Sequence, residues 1–523
     1  LFCRNRHSLP GDPATTSAGH VGGRPVAKDF LCSHGRLFVR SAGVTAIEGE
    51  LARSLEVAPR LQWLDLSDNQ LGALQQPHFA SMPNLRRLEL QNNAIASVGF
   101  QARVEPNSFE CLEALEELRL ERNLIAVLPN FAFKWLNSLN SLKLHGNRLE
   151  SVEEFAFGHC CGRLTQLSLV DNQLGYLPDH LLIGMPNLTG LYLDRNQFDR
   201  VPSVRGPARL IDFHLQRNHI VRIRRRHFLA WSAAAESLNM FDNSLRWIED
   251  GAFGGLPPGT VSLVLQKNEL SSLGQRTLDG LTHLRYLVLA DNRIDSIEDG
   301  AFGHLVRLET LSLAGNRLTS LRPNMFAGLN RTFALSLGSN EISSLPTKAF
   351  SRLPSLKYLY LEKNSLDSVP AGMLSGLNRL KKLDLSDNRI SRLHPQALAS
   401  QTDLAFLDLS GNRLSRLCSA QLLGPANRLS FLSLAKNRLT RLDPDLLSGL
   451  NRLQQSVDSI RRRPIRPRLT GGPARLRSLD LAGNPRLQLT GCSLCGLETL
   501  RYVRLPGVVN GSGIGDLLQD PSS

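Results

Sequence analysis

The 523-residue sequence has no apolar run approaching the ~20 residues that cross a bilayer, so it contains no stop-transfer segment. It starts at Leu1 rather than Met, and LFCRNRHSLPGDPATTSAGH lacks an apolar h-region. The chain therefore reads as a fragment without its signal peptide, or as the product of a flawed gene model. Eight cysteines are too few for a disulfide-stapled miniprotein of this length. Zinc-protease HExxH, P-loop and nucleophile-elbow motifs are all missing. GSGIG at 511–515 has neither the spacing of a phosphate loop nor a helix after it, and CSLC at 492–495 lacks a second ligand pair. The thirteen histidines do not fall at ligand spacing with cysteine or carboxylates. No catalytic residue, cofactor or metal is expected.

What is present is a repeat. LRYLVLADNRIDSIEDGAFGHLVRLETLSLAGNRL at 284–318 contains the frame LxxLxLxxNx(L/I) twice, with Asn292 and Asn316 24 positions apart. The same phase gives Asn69, Asn93, Asn123, Asn147, Asn172, Asn196, Asn218, Asn243 and Asn268 before them. Asn340, Asn364, Asn388, Asn412, Asn437 and Asn484 follow. LFVRSAGV at 37–44 reads as a worn first repeat and LRYVRL at 500–505 as a last one, making about twenty units. The 47-residue gap before Asn484 leaves room for one degenerate unit.

In LxxLxL, alternation along a strand sends the leucines inward and the intervening residues outward. Each strand pairs with the next in a parallel sheet, and the sharp turn that follows leaves backbone groups buried without ladder partners. One asparagine amide supplies both donor and acceptor to them. The repeated asparagine is thus a structural part. A second landmark, Phe79, Phe109, Phe133, Phe302, Phe326 and Phe350, lies 14 residues before its asparagine. In three 25-residue units the ring lies 15 before (Phe157, Phe228, Phe253), which puts the extra residue between ring and strand. These rings are expected to stack as a spine.

The frame resembles the 24-residue leucine-rich repeats of extracellular proteins such as the acid-labile subunit, chaoptin, Slit and Toll-type ectodomains. The resemblance implies an α/β leucine-rich-repeat solenoid. It would be a curved horseshoe, with a parallel sheet on the concave face and irregular turns and short helical segments on the convex face. Residues 1–36 form an N-terminal flank, 37–455 the array, 456–475 an irregular basic insert or degenerate repeat, 476–508 the last repeats and 509–523 a tail. GFQARV at 99–104 also interrupts the frame. NPRLQLTGCSLCGL departs from the NPWxC opening of the family's C-terminal cap and puts Cys492 and Cys495 on the convex side.

Cys3 with Cys32 and Cys492 with Cys495 are the candidate disulfides. Cys111 and Cys160 sit two strands apart, roughly 10 Å, too far to bridge. Both read as buried free thiols, Cys160 in a leucine's place. Asn187 (NLT), Asn330 (NRT) and Asn510 (NGS) fit the glycosylation acceptor pattern.

The ligand face is expected on the two residues flanking the middle leucine of each strand. It includes Tyr192, His214, Tyr286, Tyr358, Tyr360, Phe406 and Phe431, with Tyr358 and Tyr360 at its centre. Four of the six tyrosines fall in these slots, and exposed aromatics are preferred interface anchors. Net charge is +14, much of it in RIRRRH at 222–227 and RRRPIRPR at 461–468. Arg222, Arg224, Arg225 and Arg226 are therefore candidates for a polyanion such as a sulfated glycosaminoglycan. Nucleic acid is not expected, because no groove-reading element accompanies the charge.

The expected function is a non-enzymatic secreted or cell-surface scaffold binding a protein ligand on its concave face. A matrix or adhesion component, self-associating through its repeats or holding glycans, is the alternative. An ectodomain fragment of a signalling receptor is another. A cytosolic inhibitor-type repeat protein is the outsider.

Overall fold

Period-2 burial within each LxL, followed by a polar turn, dictates the architecture. The computed structural model describes residues 20–21, 24–25, 31–33, 35–48, 51, 55, 59–74, 79, 82–98, 109, 112–158, 160–202, 205–207, 209–225, 227–228, 236–394, 396–398, 400–417, 428–442, 476–489 and 500–506. The chain divides into two compact units, Leu1–Thr260 and Val261–Ser523.

In the first unit nine three-residue strands, from Arg36–Phe38 to Ser237–Asn239, pair in parallel and in chain order. Leu31–Ser33 adds an antiparallel strand that places Cys32 opposite Leu37. In the second unit ten strands, from Ser262–Val264 to Tyr502–Arg504, pair in parallel in the same way. Equivalent residues of successive repeats stand side by side, Tyr358 against Lys382 and Lys382 against Phe406. Both terminal repeats expected from the sequence contribute a strand. Phe431–Ser433 pairs directly with Ser478–Asp480. Residues 99–104 and 456–475 lie outside the described residues, as do Cys3, Cys111, Cys492, Cys495, Arg226 and Asn510.

The turn after each strand is set by two adjacent residues. The first has a left-handed backbone, as at Lys363 (φ 53°), Asp387 (φ 51°) and Gly411 (φ 67°). That conformation releases the backbone from the ladder, and the asparagine that follows replaces the lost partners. Asn316 Nδ2 donates to the carbonyls of Leu289 (2.9 Å) and Leu313 (3.0 Å), and its Oδ1 accepts from the amide of Ile294 at 3.0 Å. Asn340 and Asn364 repeat the arrangement one and two rungs on. Each side chain thus bonds its own turn and the preceding repeat, which is why the phase tolerates little else.

The convex side is built from turns; among the described residues only Leu51 and Leu55 are helical. The phenylalanine spine is present, with Phe302–Phe326 stacked at 6.3 Å and Phe326–Phe350 at 6.2 Å in the second unit. Phe109–Phe133 (5.9 Å) and Phe133–Phe157 (5.7 Å) stack in the first. The extra residue of the 25-residue unit at Phe157 falls where the sequence predicts. The amide of Cys160 donates to Phe157 and that of Leu164 to Cys161, so two cysteines share the slot one leucine, Leu305, fills elsewhere. Both thiols are free and buried.

Candidate functional site

Burial of the central leucine leaves its two neighbours on the open face of the sheet. In the second unit the expected aromatics come together. Lys382 Nζ lies 4.8 Å from the ring centre of Tyr360 and 4.4 Å from that of Phe406. Phe406 and Phe431 stack at 4.1 Å with their planes 2° apart. Tyr358 meets Phe333 edge-on at 6.4 Å. The result is a continuous row, Tyr360, Lys382, Phe406 and Phe431, in which the cation is held between rings. Tyr286 stands three rungs before Tyr358 and is 41% exposed.

A carboxylate row runs beside the aromatic one. Asp384, Asp408 and Asp480 each accept the amide two residues on. Glu362 differs. Its carboxyl lies over Gly338, where a Cβ would collide with it, and its Oε2 is buried without a hydrogen-bond partner. Burial, reinforced by the charge of Asp384, holds the Glu362 carboxyl above its ordinary pKa. A concavity of about 570 Å³ opens where the row ends, lined by Phe431, Asp408, Asp480, Lys436 and Arg504. Sequence reasoning missed Glu362, Lys436 and Arg504. It also passed over Tyr502, a fifth tyrosine in a flanking slot, paired with Ser478 and exposed.

The first unit's face is mostly spoken for by itself. Arg87 bonds Glu89 (2.6 Å) and Glu117 (3.0 Å), and Arg119 bonds Glu121 (3.1 Å) and Glu89 (3.5 Å). Burial opposes ionisation of Glu89, yet hydrogen bonds from Gln91 and Arg87 and the two arginine charges together hold its pKa below the ordinary value. Trp63 is flanked by the guanidinium groups of Arg36 (5.1 Å) and Arg87 (4.6 Å). Tyr192 folds across Gly190, where a Cβ would stand 2.8 Å from its Oη, and meets His214 edge-on at 5.1 Å. Burial raises the pKa of the adjacent Asp194, 3.9 Å from His214. Tyr192 and His214 thus form a pair of their own.

Of the arginine run, Arg225 is tied to Glu249 (3.7 Å) and to the Asp250 carbonyl (2.6 Å), while Arg222 and Arg224 are exposed. Asn330 is exposed, whereas Asn187 is half-buried and its Nδ2 donates to the Gly162 carbonyl at 2.7 Å.

The comparisons with known proteins agree with the repeat geometry. A family profile described as leucine rich repeat matches residues 59–125, 137–198, 258–318, 307–366 and 354–414, more than half of the chain. The chain belongs to the leucine-rich-repeat family. It is 31% identical over 253 residues to Podocan-like protein 1 of Homo sapiens, covering 44% of this chain and 48% of that protein. It is 29% identical over 176 residues to keratocan of Danio rerio, covering 32% of this chain and 47% of that protein. The chain therefore spans about half the length of these curated relatives. Among solved structures, a leucine-rich-repeat protein of Leptospira interrogans superposes with a TM-score of 0.57 at 26% identity, covering 78% of this chain and 97% of that one. The Toll ectodomain of the Toll–Spatzle complex, at 19% identity and a TM-score of 0.58, shares the fold. No helix among the described residues is long and apolar enough to cross a membrane.

Proposed function

We propose that the protein is a non-enzymatic, extracellular or cell-surface scaffold whose second unit engages a protein ligand on the open face of its sheet. The observation that carries this reading is the row Tyr360, Lys382, Phe406 and Phe431, partly exposed and in mutual contact. Rings held by their neighbours lose little freedom on binding, so their contact area converts efficiently into affinity. The first unit's face suits this role less, because its charges already saturate one another. The repeat type and the exposed sequon at Asn330 support an extracellular location.

The test is a binding screen of the immobilised chain against purified extracellular proteins, repeated with Tyr358→Ala and Tyr360→Ala together. A true ligand should lose at least about tenfold in affinity, the loss of one or two anchor residues, with the melting temperature unchanged. If every binder is indifferent to the double substitution, the face is not the site. The matrix reading through Arg222, Arg224, Arg225 and Arg226 is weaker at that place, since Arg225 is committed to Glu249 and Asp250.

A further inference from the structure

Three consecutive repeats of the second unit read NRISRL at 388–393, NRLSRL at 412–417 and NRLTRL at 437–442. In each, the asparagine and the residue two after it are buried, and the two arginines are exposed. The repeats are in register, because the Arg413 amide donates to the Ile390 carbonyl and the Arg438 amide to that of Leu414, both at 2.9 Å. The arginines therefore form two columns of three. Rungs are ~4.8 Å apart and the columns roughly 10 Å apart, so the patch measures about 10 Å each way.

The fold does not require arginine in either column. The same slots in the three preceding repeats hold Arg317 and Ser320, Glu341 and Ser344, and Ser365 and Ser368. Other arginines of this unit are neutralised by neighbours: Arg285 by Glu309 (3.1 Å), Arg293 by Glu269 (3.3 Å) and Arg428 by Asp403 (3.1 Å). Among the described residues none of the six makes a side-chain hydrogen bond or ion pair. Asp367 and Asp387, acids at neighbouring positions among the described residues, form no ion pair with them. Six like charges at this spacing repel one another, and an external polyanion would relieve that.

We propose that Arg389, Arg392, Arg413, Arg416, Arg438 and Arg441 form a binding site for a sulfated polysaccharide. Planar guanidinium groups donate in pairs to tetrahedral oxyanions and to carboxylates, the two acidic groups such a chain carries. Between the columns stand the exposed hydroxyls of Ser391, Ser415 and Thr440, suited to sugar oxygens. No aromatic ring lies between the columns to stack on a base, which argues against a nucleic acid. The site is separate from the sheet face and stands whether or not a protein docks there.

The experiment uses the full chain and heparin as probe, with retention against salt and affinity at physiological salt as readouts. Arg392→Ser, Arg416→Ser and Arg441→Ser are combined, serine being what the preceding rungs carry. The control removes equal charge at another phase of the same unit, Arg307→Ser, Arg331→Ser and Arg379→Ser. The first triple should weaken heparin binding by about tenfold or more and elute at lower salt, and the control should change it little. Equal shifts in the two triples would reduce the effect to net charge and overturn the site. Desulfated heparin binding as well as heparin, or poly(dT) or anionic vesicles binding more tightly through the same arginines, would overturn the sulfated ligand. Modification of the unaltered protein by phenylglyoxal gives a readout independent of any variant's folding. Heparin should protect the six arginines, and full reactivity in its presence refutes the proposal.

Discussion

Asn388 Nδ2 donates to the carbonyl of Leu361, 27 residues earlier, at 2.9 Å. It also donates to Leu385, and its Oδ1 accepts from the Leu366 amide at 3.1 Å. One amide thus joins two rungs and serves three buried backbone groups.

Replacing Asn388 by Ala should therefore cost about 2–4 kcal/mol, the penalty for leaving two or three buried groups unbonded. Hydrogen exchange reads the effect locally. The Leu366 amide should exchange faster in the variant, while amides many rungs away, such as Leu90, keep their protection. Unchanged exchange at Leu366 would mean that the turn holds without its asparagine.

Glu362 gives the clearest dependence on pH. Its pKa is raised by burial and by Asp384, so the folded state favours the protonated form. A carboxyl with a raised folded pKa makes its full contribution below its unfolded value, about 4.3, and loses it as pH rises through the folded pKa. Glu362→Gln should accordingly melt higher than the parent at neutral pH, with the difference vanishing near pH 4. An advantage that is equal at both pH values would mean that packing, not charge, is responsible.

Much of this was legible in the sequence because a repeat enforces its register. Once Asn292 and Asn316 fixed the phase, the inward leucines, the phenylalanine spine and the outward Tyr358 and Tyr360 followed by counting. Contacts between rungs were harder. The Arg87–Glu117 and Arg119–Glu89 pairs join residues 30 positions apart and emerge only when strands are placed in register. Tyr192 folding over Gly190 depends on a missing Cβ two residues away on its own strand. The arginine columns stand in plain view as NRx(S/T)RL. Contiguous runs of charge do not reveal them, because a solenoid gathers charge at a period of 24 or 25 residues. The place of the second cysteine at 160–161 was equally hidden, since the frame provides one slot.

That slot gives a last prediction. A hydrogen bond with Cys160, together with burial, pushes the Cys161 thiol pKa well above its ordinary value. Only the thiolate attacks an alkylating agent, and here it is both disfavoured and enclosed. Iodoacetamide at mildly alkaline pH should leave both thiols unmodified in the native protein and label both once denaturant opens the repeat. Replacing Cys161 by Ser should lower stability by about 1–3 kcal/mol, because a stronger polar group is buried without an assured partner. Rapid native-state labelling of Cys161 would show that the convex side opens around Phe157 far more readily than its stacked spine implies.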